Sequence, residues 1–189
     1  MLLAVLSAIL IFNGYQVIDN MTLYCGLLRG QDPSETAGYQ KAVLYTFKVS
    51  MGVTMGWVLT RAAPRTAVLG SACVGLSAVL FALVAPASVF LLSFGLLGAG
   101  QLHGVYITNY ILSCAPRRLM RRYMAFTMIT MLPAAPAGVV YGLISGTMGA
   151  LYEDKSLGYQ VSLATSAGLI ALGIGLSLLL PPRPKAASE

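Results

Sequence analysis

Residues 66–85 read TAVLGSACVGLSAVLFALVA, twenty consecutive positions without a charged side chain. A helix needs about 20 mostly apolar residues to cross the hydrocarbon core of a bilayer. Arg65 precedes the stretch, and Pro86 follows it in a short turn sequence. The stretch therefore predicts a transmembrane helix with an end marked on each side.

The rest of the chain has the same character. Its 189 residues are 57% hydrophobic and 10% charged, with a mean hydropathy of +0.78. Soluble domains carry about 25% charged residues, so the composition excludes an ordinary soluble enzyme, a disordered tail and a nucleic-acid-binding protein. Three cysteines without metal or redox spacing and a single histidine indicate neither a metal site nor a cofactor.

Six stretches are long and apolar enough to span a membrane, and proline, glycine and charged clusters separate them. They are residues 2–18, 42–60, 66–85, 88–114, 123–147 and 158–180. The predicted fold is all-α, a polytopic membrane protein with six transmembrane helices in one domain over residues 1–189. The first stretch lacks the basic start and cleavage site of a signal peptide. We interpret it as a true span and expect further sequence before it.

Basic residues alternate between the connections. The loops after the second and fourth helices and the C-terminal tail hold eight Lys and Arg residues, whereas the other connections hold three. Because cytoplasmic loops are enriched in these residues, both termini are predicted to be cytoplasmic. The net charge of +6 is thus largely a topology signal. The lipid bilayer is the first expected partner, in a plasma membrane or a bacterial inner membrane.

Four of the helices carry polar side chains at depth, where such groups are costly without a use. The candidates for lining a substrate cavity are Asn13, Gln16, Asn20, Lys48, Gln101, His103, Tyr106, Asn109 and Tyr141. Other interpretations stay open: the hydroxyls and amides could be packing contacts, Lys48 could extend to the outer interface, and His103 could be a donor between helices. No Asp or Glu is expected clearly inside a span, and Asp19 is assigned to the outer end of the first helix.

Two prolines interrupt the fifth predicted helix. Pro133 and Pro136 each remove a backbone donor and should kink the helix. The kink could serve as a gating hinge, or it could serve packing alone.

The alternation of four polar helices with an apolar third and sixth helix resembles one six-helix half of a major facilitator superfamily transporter. Residues 56–65 look like the family signature between two helices of a half, with Gly56, Arg61 and Arg65 in place and Thr60 where an acid belongs. Residues 116–126 resemble the loop that leads into the fifth helix. Its arginines are Arg117, Arg118, Arg121 and Arg122.

This resemblance implies the C-terminal half of the family fold, in which the signature is often degraded. It implies transport of a small solute by alternating access, with the arginines and Gly56 at a cytoplasmic gate and another six-helix half as partner. The chain is then expected to be a fragment or a half that pairs with a second chain, and the substrate is unknown. The alternatives are a non-transporting structural or receptor-like membrane protein and, far behind, an intramembrane hydrolase built on Ser145 and His103. No enzymatic activity is expected.

Overall fold

The computed structural model describes residues 2–59, 61–129 and 132–182, without the side chains of Arg117, Phe126 and Ile129. This part of the chain is helical and contains no strand. Its α-helices are α1 (Leu2–Tyr15), α2 (Ile18–Arg29), α3 (Pro33–Leu59), α4 (Pro64–Val84), α5 (Leu91–Gly100), α6 (His103–Ser113), α7 (Met120–Ile129), α8 (Ala137–Leu151) and α9 (Lys155–Leu178). Two 3-10 turns lie at Arg117–Leu119 and Leu132–Ala134.

Five helical segments in the described residues are long and apolar enough to cross a membrane. They are Leu2–Arg29, Pro33–Leu59, Pro64–Val84, Leu132–Leu151 and Lys155–Leu178. These segments support an integral multi-pass membrane protein. The third and last agree with predicted spans 66–85 and 158–180 within three residues, because proline and charge mark their starts.

The first predicted span, residues 2–18, ends too early. The helical run passes a short turn at Gln16 and Val17 and continues through α2 to Arg29. Gly30 then stops it in the left-handed conformation, with φ of 62°, and the Gln31 N–H bonds to the Gly26 carbonyl. Glycine adopts this conformation without the steric cost that a side chain brings.

The second predicted span, residues 42–60, begins nine residues too late. Helix α3 starts at Pro33, whose fixed φ suits a first helical position. Asp32 precedes it and accepts hydrogen bonds from the Ser34 amide and hydroxyl at 2.8 and 2.6 Å. These bonds hold the pKa of the Asp32 carboxyl below its usual value. Residue 60 lies outside the described residues.

The fourth and fifth predicted spans, 88–114 and 123–147, are interrupted. The fourth divides at Gln101 and Leu102 into α5 and α6, of 10 and 11 residues. Each piece alone is shorter than the about 20 residues that a crossing needs, so the sixth span stays a prediction. The helix that corresponds to the fifth predicted span begins at Met120, three residues before the predicted start. Residues 130 and 131 within this span lie outside the described residues.

Contacts at the two ends of the bundle give a scale of depth. At one end the Arg29 Nε donates to the Ala87 carbonyl at 3.2 Å. At the other end Arg65 donates to the Leu180 carbonyl at 2.7 Å. Between these levels runs α4, whose 21 residues span about 31 Å. That length matches a hydrocarbon core of about 30 Å. The distribution of basic residues predicts that the end with Ala87 is the outer one.

Glycines let the helices pack closely. A Cβ atom on Gly98 of α5 would collide with the Leu44 carbonyl of α3, and one on Gly173 of α9 would lie against Ile11 of α1. Close approach at small residues is the main way in which helices associate in lipid. The chain uses it to bring α3 against α5 and α1 against α9.

The burial of the helices differs from expectation. The apolar third and sixth spans are expected at the periphery, since the resemblance implies that these two helices lie outside in a half. Instead, 44% of the apolar window of α4 and 39% of that of α9 is buried. Only 6% is buried in α3, the second span, and 22% in the window that contains α8. The polar helix α3 is therefore the least covered of the five.

The contact of α3 with α5 can be tested at Gly98. We expect Gly98→Ala to destabilise the protein by about 1–3 kcal/mol, because the new methyl group meets a backbone carbonyl that cannot rotate away. Gly168→Ala in α9 is the matched control, since no atom lies within 4 Å of its added Cβ. Thermal unfolding in detergent measures both. Equal melting temperatures for the two variants would show that Gly98 is not needed for this packing.

Candidate functional site

Lys48 lies deep in the bundle and holds a hydrogen bond to a neutral partner. It stands 15 residues after Pro33, about 22 Å along α3 from the outer end of the helix. The extension of α3 places Lys48 farther from this helix end than a start at residue 42 would, which argues against the alternative that Lys48 reaches the outer interface. Its Nζ donates to the Gln101 Oε1 at 3.4 Å, and both side chains are half-buried. No described carboxylate pairs with it.

Gln101 owes its position to the break between α5 and α6. The residue caps α5, and Leu102 caps α6, so the chain turns once at this depth. A Cβ on Gly52, one turn beyond Lys48 in α3, would lie 3.9 Å from Leu102. The face of α3 that carries Lys48 is therefore the face that meets the break.

Four predicted residues meet in one cavity of about 160 Å³. Asn13 and Tyr141 line it together with Pro133 and Pro136, at the start of α8. Thr165 of α9 adds a hydroxyl that was not predicted. The Asn13 Nδ2 bonds to the Ile9 carbonyl at 2.7 Å. Tyr141 is 2% exposed, and its hydroxyl lies near the Ser166 side chain without a hydrogen bond of standard geometry.

Asn20 connects α2 with α8. The residue is buried, and its Nδ2 donates to the Tyr141 carbonyl at 2.9 Å. Ser162 of α9 donates to the same carbonyl at 3.1 Å. Asn20 also borders a larger cavity of about 460 Å³ near the outer end, where Ser145, Lys155 and Tyr159 contribute to the wall. Sequence reasoning did not identify Lys155 or Tyr159, whose side chains come together only through the packing of α2, α8 and α9.

His103 lies apart from these cavities. Its ring is fully buried, with Nδ1 3.2 Å from the Val68 carbonyl and Nε2 without a partner in the described residues. Phe12 packs edge-on against the ring at a centroid distance of 6.2 Å. The described contacts do not join His103 to Ser145, whose hydroxyl bonds to the Gly142 carbonyl within its own helix.

The other residues predicted to line a cavity differ in burial and in location. Tyr106 is buried beside His103 in α6, whereas Asn109 in the same helix is exposed. Gln16 is half-buried in the turn between α1 and α2. Sequence spacing places Asn13, Gln16 and Asn20 on one stripe, yet Asn13 and Asn20 border different cavities because that turn interrupts the helix.

Asp19 is the residue whose position differs most from the sequence analysis. The expectation that no acid lies inside a span is wrong, because α2 extends ten residues past Asp19 to Arg29. Asp19 thus lies about 15 Å below the outer level. The length and the Gly30 stop of the apolar run 21–28 were the signals that could have shown this.

The gate candidates have separate surroundings. Arg65 donates to the carbonyls of Leu178 and Leu180 at 3.3 and 2.7 Å. These bonds satisfy backbone carbonyl groups at the C-terminal end of α9. The Arg61 guanidinium lies 4.2 Å from the Trp57 ring centroid, which is cation–π distance.

Gly56 is exposed with no atom near its added Cβ. Arg118, Arg121 and Arg122 are exposed, the Arg117 side chain is outside the description, and so is Thr60.

Among the described residues no group of three or more His, Cys, Asp or Glu side chains could hold a metal ion. Comparison with family models, curated proteins and solved structures finds no match to this chain.

The Tyr141 hydroxyl gives a test of the smaller cavity. Tyr141→Phe removes a buried group that has no hydrogen bond of standard geometry, so we expect unchanged or increased stability. Asn20→Ala removes a satisfied hydrogen bond next to it and should cost about 1 kcal/mol. Thermal unfolding in detergent compares the two. A loss of more than about 1 kcal/mol in Tyr141→Phe would mean that the hydroxyl is bonded.

Proposed function

We propose that the chain is one half of a membrane transporter that moves a small solute by alternating access. The observation that carries the proposal is Lys48. It is a cation about 22 Å below the outer end of α3, on the least buried of the candidate spans, and its described partner is the neutral Gln101.

The cost of this arrangement argues for a use. An ionisable side chain in a span is expensive, and such residues almost always face a bundle interior or a water-filled cavity. A neutral amide at 3.4 Å relieves only part of that cost. A solute or a second helical half on this side would supply the missing solvation.

Broken helices support the same conclusion. Solute sites of secondary transporters are formed by discontinuous helices near the middle of the membrane. Here Gln101 marks the break between α5 and α6, and Pro133 and Pro136 mark the irregular entry to α8. Gln101 gives the first break a polar side chain, and Asn13 and Tyr141 line the cavity beside the second. Backbone and side chains at these places can replace the water around a solute.

One part of the arrangement fits the resemblance to a half of a major facilitator superfamily transporter, because α3 and α8 are poorly covered. The burial of α4 and α9 departs from that pattern. A matching half against α3 and α8 would complete the carrier. The bond from Arg65 to the end of α9 would then hold the inner face in one of its two states.

Uptake into proteoliposomes tests the proposal. The purified chain alone should accumulate no solute from a mixture of small metabolites, measured by mass spectrometry of the vesicle contents. With its complementary half it should accumulate a defined solute, and Lys48→Met should reduce that uptake at least about tenfold by removing the charge that replaces water.

Gly168→Ala, which leaves the bundle packing unchanged, is the control for expression and insertion. Accumulation by the chain alone would refute the half-carrier proposal. Full uptake in Lys48→Met would remove Lys48 from the solute site.

A further inference from the structure

A groove between α2, α8 and α9 lies near the predicted outer end of the bundle, apart from Lys48 and Gln101. Its inner part is the cavity of about 460 Å³ that Asn20 borders, and a second cavity of about 400 Å³ lies beside it. Leu23, Lys155 and Tyr159 line both cavities, so the two meet at these side chains. Each volume falls within the range of about 300–1,000 Å³ that is typical of small-molecule sites.

One wall of the groove is an uncovered ridge of α8. Gly138, Gly142 and Gly146 follow one another at intervals of four residues and therefore share one face of the helix. Gly142 and Gly146 line the inner cavity, and no atom lies within 4 Å of a Cβ added to either of them. Helices in lipid usually pack closely at such small residues. Here the ridge instead leaves room for a slim ligand directly against the helix backbone.

The two ends of this ridge carry opposite charges. At the inner end, the Asp19 Oδ2 is 3.7 Å from the position of a Cβ added to Gly138. At the outer end, the Lys155 Cα is 3.4 Å from the equivalent position on Gly149. The two glycines are separated by about 16 Å along α8. The groove therefore has a negative inner end and a positive outer end.

Neither charge has a partner of its own. Asp19 and Lys155 are exposed, and within the described residues neither forms a hydrogen bond through its side chain or an ion pair. The neighbouring Asp154 accepts hydrogen bonds from two backbone N–H groups at the start of α9, and it does not line either cavity. Since unpaired charges in a span are costly, a ligand with the opposite charge at each end would satisfy both residues.

Two hydrogen-bond acceptors lie along the groove. Asn20 is 3% exposed, and its Nδ2 donates to the Tyr141 carbonyl, whereas its Oδ1 accepts no hydrogen bond from the described residues. Ser145 donates its proton to the Gly142 carbonyl at 3.0 Å, so its oxygen can accept another bond. The middle of a matching ligand therefore carries N–H or O–H groups, which a lipid acyl chain lacks.

We infer that the groove binds a short extended peptide, with the peptide ammonium group at Asp19 and its carboxylate at Lys155. A peptide of three to five residues spans about 10–16 Å when extended, and the flexible Lys155 side chain accommodates the shorter ones. The N–H groups of the peptide backbone donate to Asn20 and Ser145. Small side chains suit the space beside the glycine ridge.

This inference goes beyond the proposed transport and does not rest on it, because peptide binding is measured with the chain alone. The probe is trialanine, titrated by calorimetry into the full chain in phosphatidylcholine nanodiscs, and we expect saturable binding. N-acetyl-trialanine lacks the ammonium group, and trialanine amide lacks the carboxylate. Each should bind at least about tenfold more weakly, because each loses one ion pair.

Two variants assign the ends of the peptide. Asp19→Asn should weaken trialanine binding at least about tenfold and leave the affinity for N-acetyl-trialanine unchanged, because that probe has no ammonium group. Lys155→Gln should weaken trialanine binding equally and leave the affinity for trialanine amide unchanged. Gly146→Val should block the groove. Gly168→Val, at an equally open position of α9 outside the groove, is the matched control for folding and should bind normally.

An absence of trialanine binding would overturn the inference, as would equal affinity for the capped probes or unchanged binding in Gly146→Val. Native mass spectrometry tests the other possible occupant, a lipid. A phospholipid adduct that Gly146→Val removes and that trialanine does not displace would also overturn the inference, because a lipid would then occupy the groove.

Discussion

The constraint on which this structure depends is the cost of a polar group at membrane depth. Backbone N–H and C=O groups that face lipid must be bonded within the protein, and a charge in a span requires water, a partner or a change of charge state. Most polar groups in the bundle meet this demand: Asn20 and Ser162 bond to the Tyr141 carbonyl, and Arg65 bonds to the end of α9. Lys48 and Asp19 do not meet it with an opposite charge among the described residues.

Close packing decides where those exceptions lie. Gly98 lets α5 approach the backbone of α3 at Leu44, and one turn further along α3 that approach brings Lys48 to Gln101. The break at Gln101 is thus positioned by a glycine contact and not by the polar pair itself. On the other side of the bundle, Asn20 ties α2 to α8 and brings the neighbouring Asp19 to the start of that helix.

Much of the helical pattern could be predicted from residue types alone. Pro64 with Arg65, and Asp154 with Lys155, mark helix starts that agree with the structure within three residues, because proline and charge are strong local signals. The predicted span 2–18 stops before Asp19 and Asn20, whereas the helical run continues to Arg29. The partner that makes Asn20 acceptable, the Tyr141 carbonyl, is 121 residues away in sequence, and no local pattern indicates it.

The candidate site was predictable as a set of residues but not as an arrangement. Helical periodicity selected Asn13 and Tyr141, and the missing backbone donors selected the two prolines. Packing brings all four around one cavity. The periodicity did not connect Lys48 with Gln101 or with the break between α5 and α6, because the depth of Lys48 depends on α3 beginning at Pro33. The position of Asp19 within a candidate span depends on where α2 ends, and helix ends are what sequence patterns predict least well.

The central claim is that the face of α3 with Lys48 meets water or a solute and not lipid. The most direct test is the reaction of Gln101→Cys with a membrane-impermeant thiol reagent, in intact vesicles of a variant without other cysteines. Leu172→Cys, exposed on α9, is the lipid-facing control. The account predicts that position 101 reacts at least about tenfold faster, because a thiolate forms only where water reaches. Equal protection at both positions would contradict it.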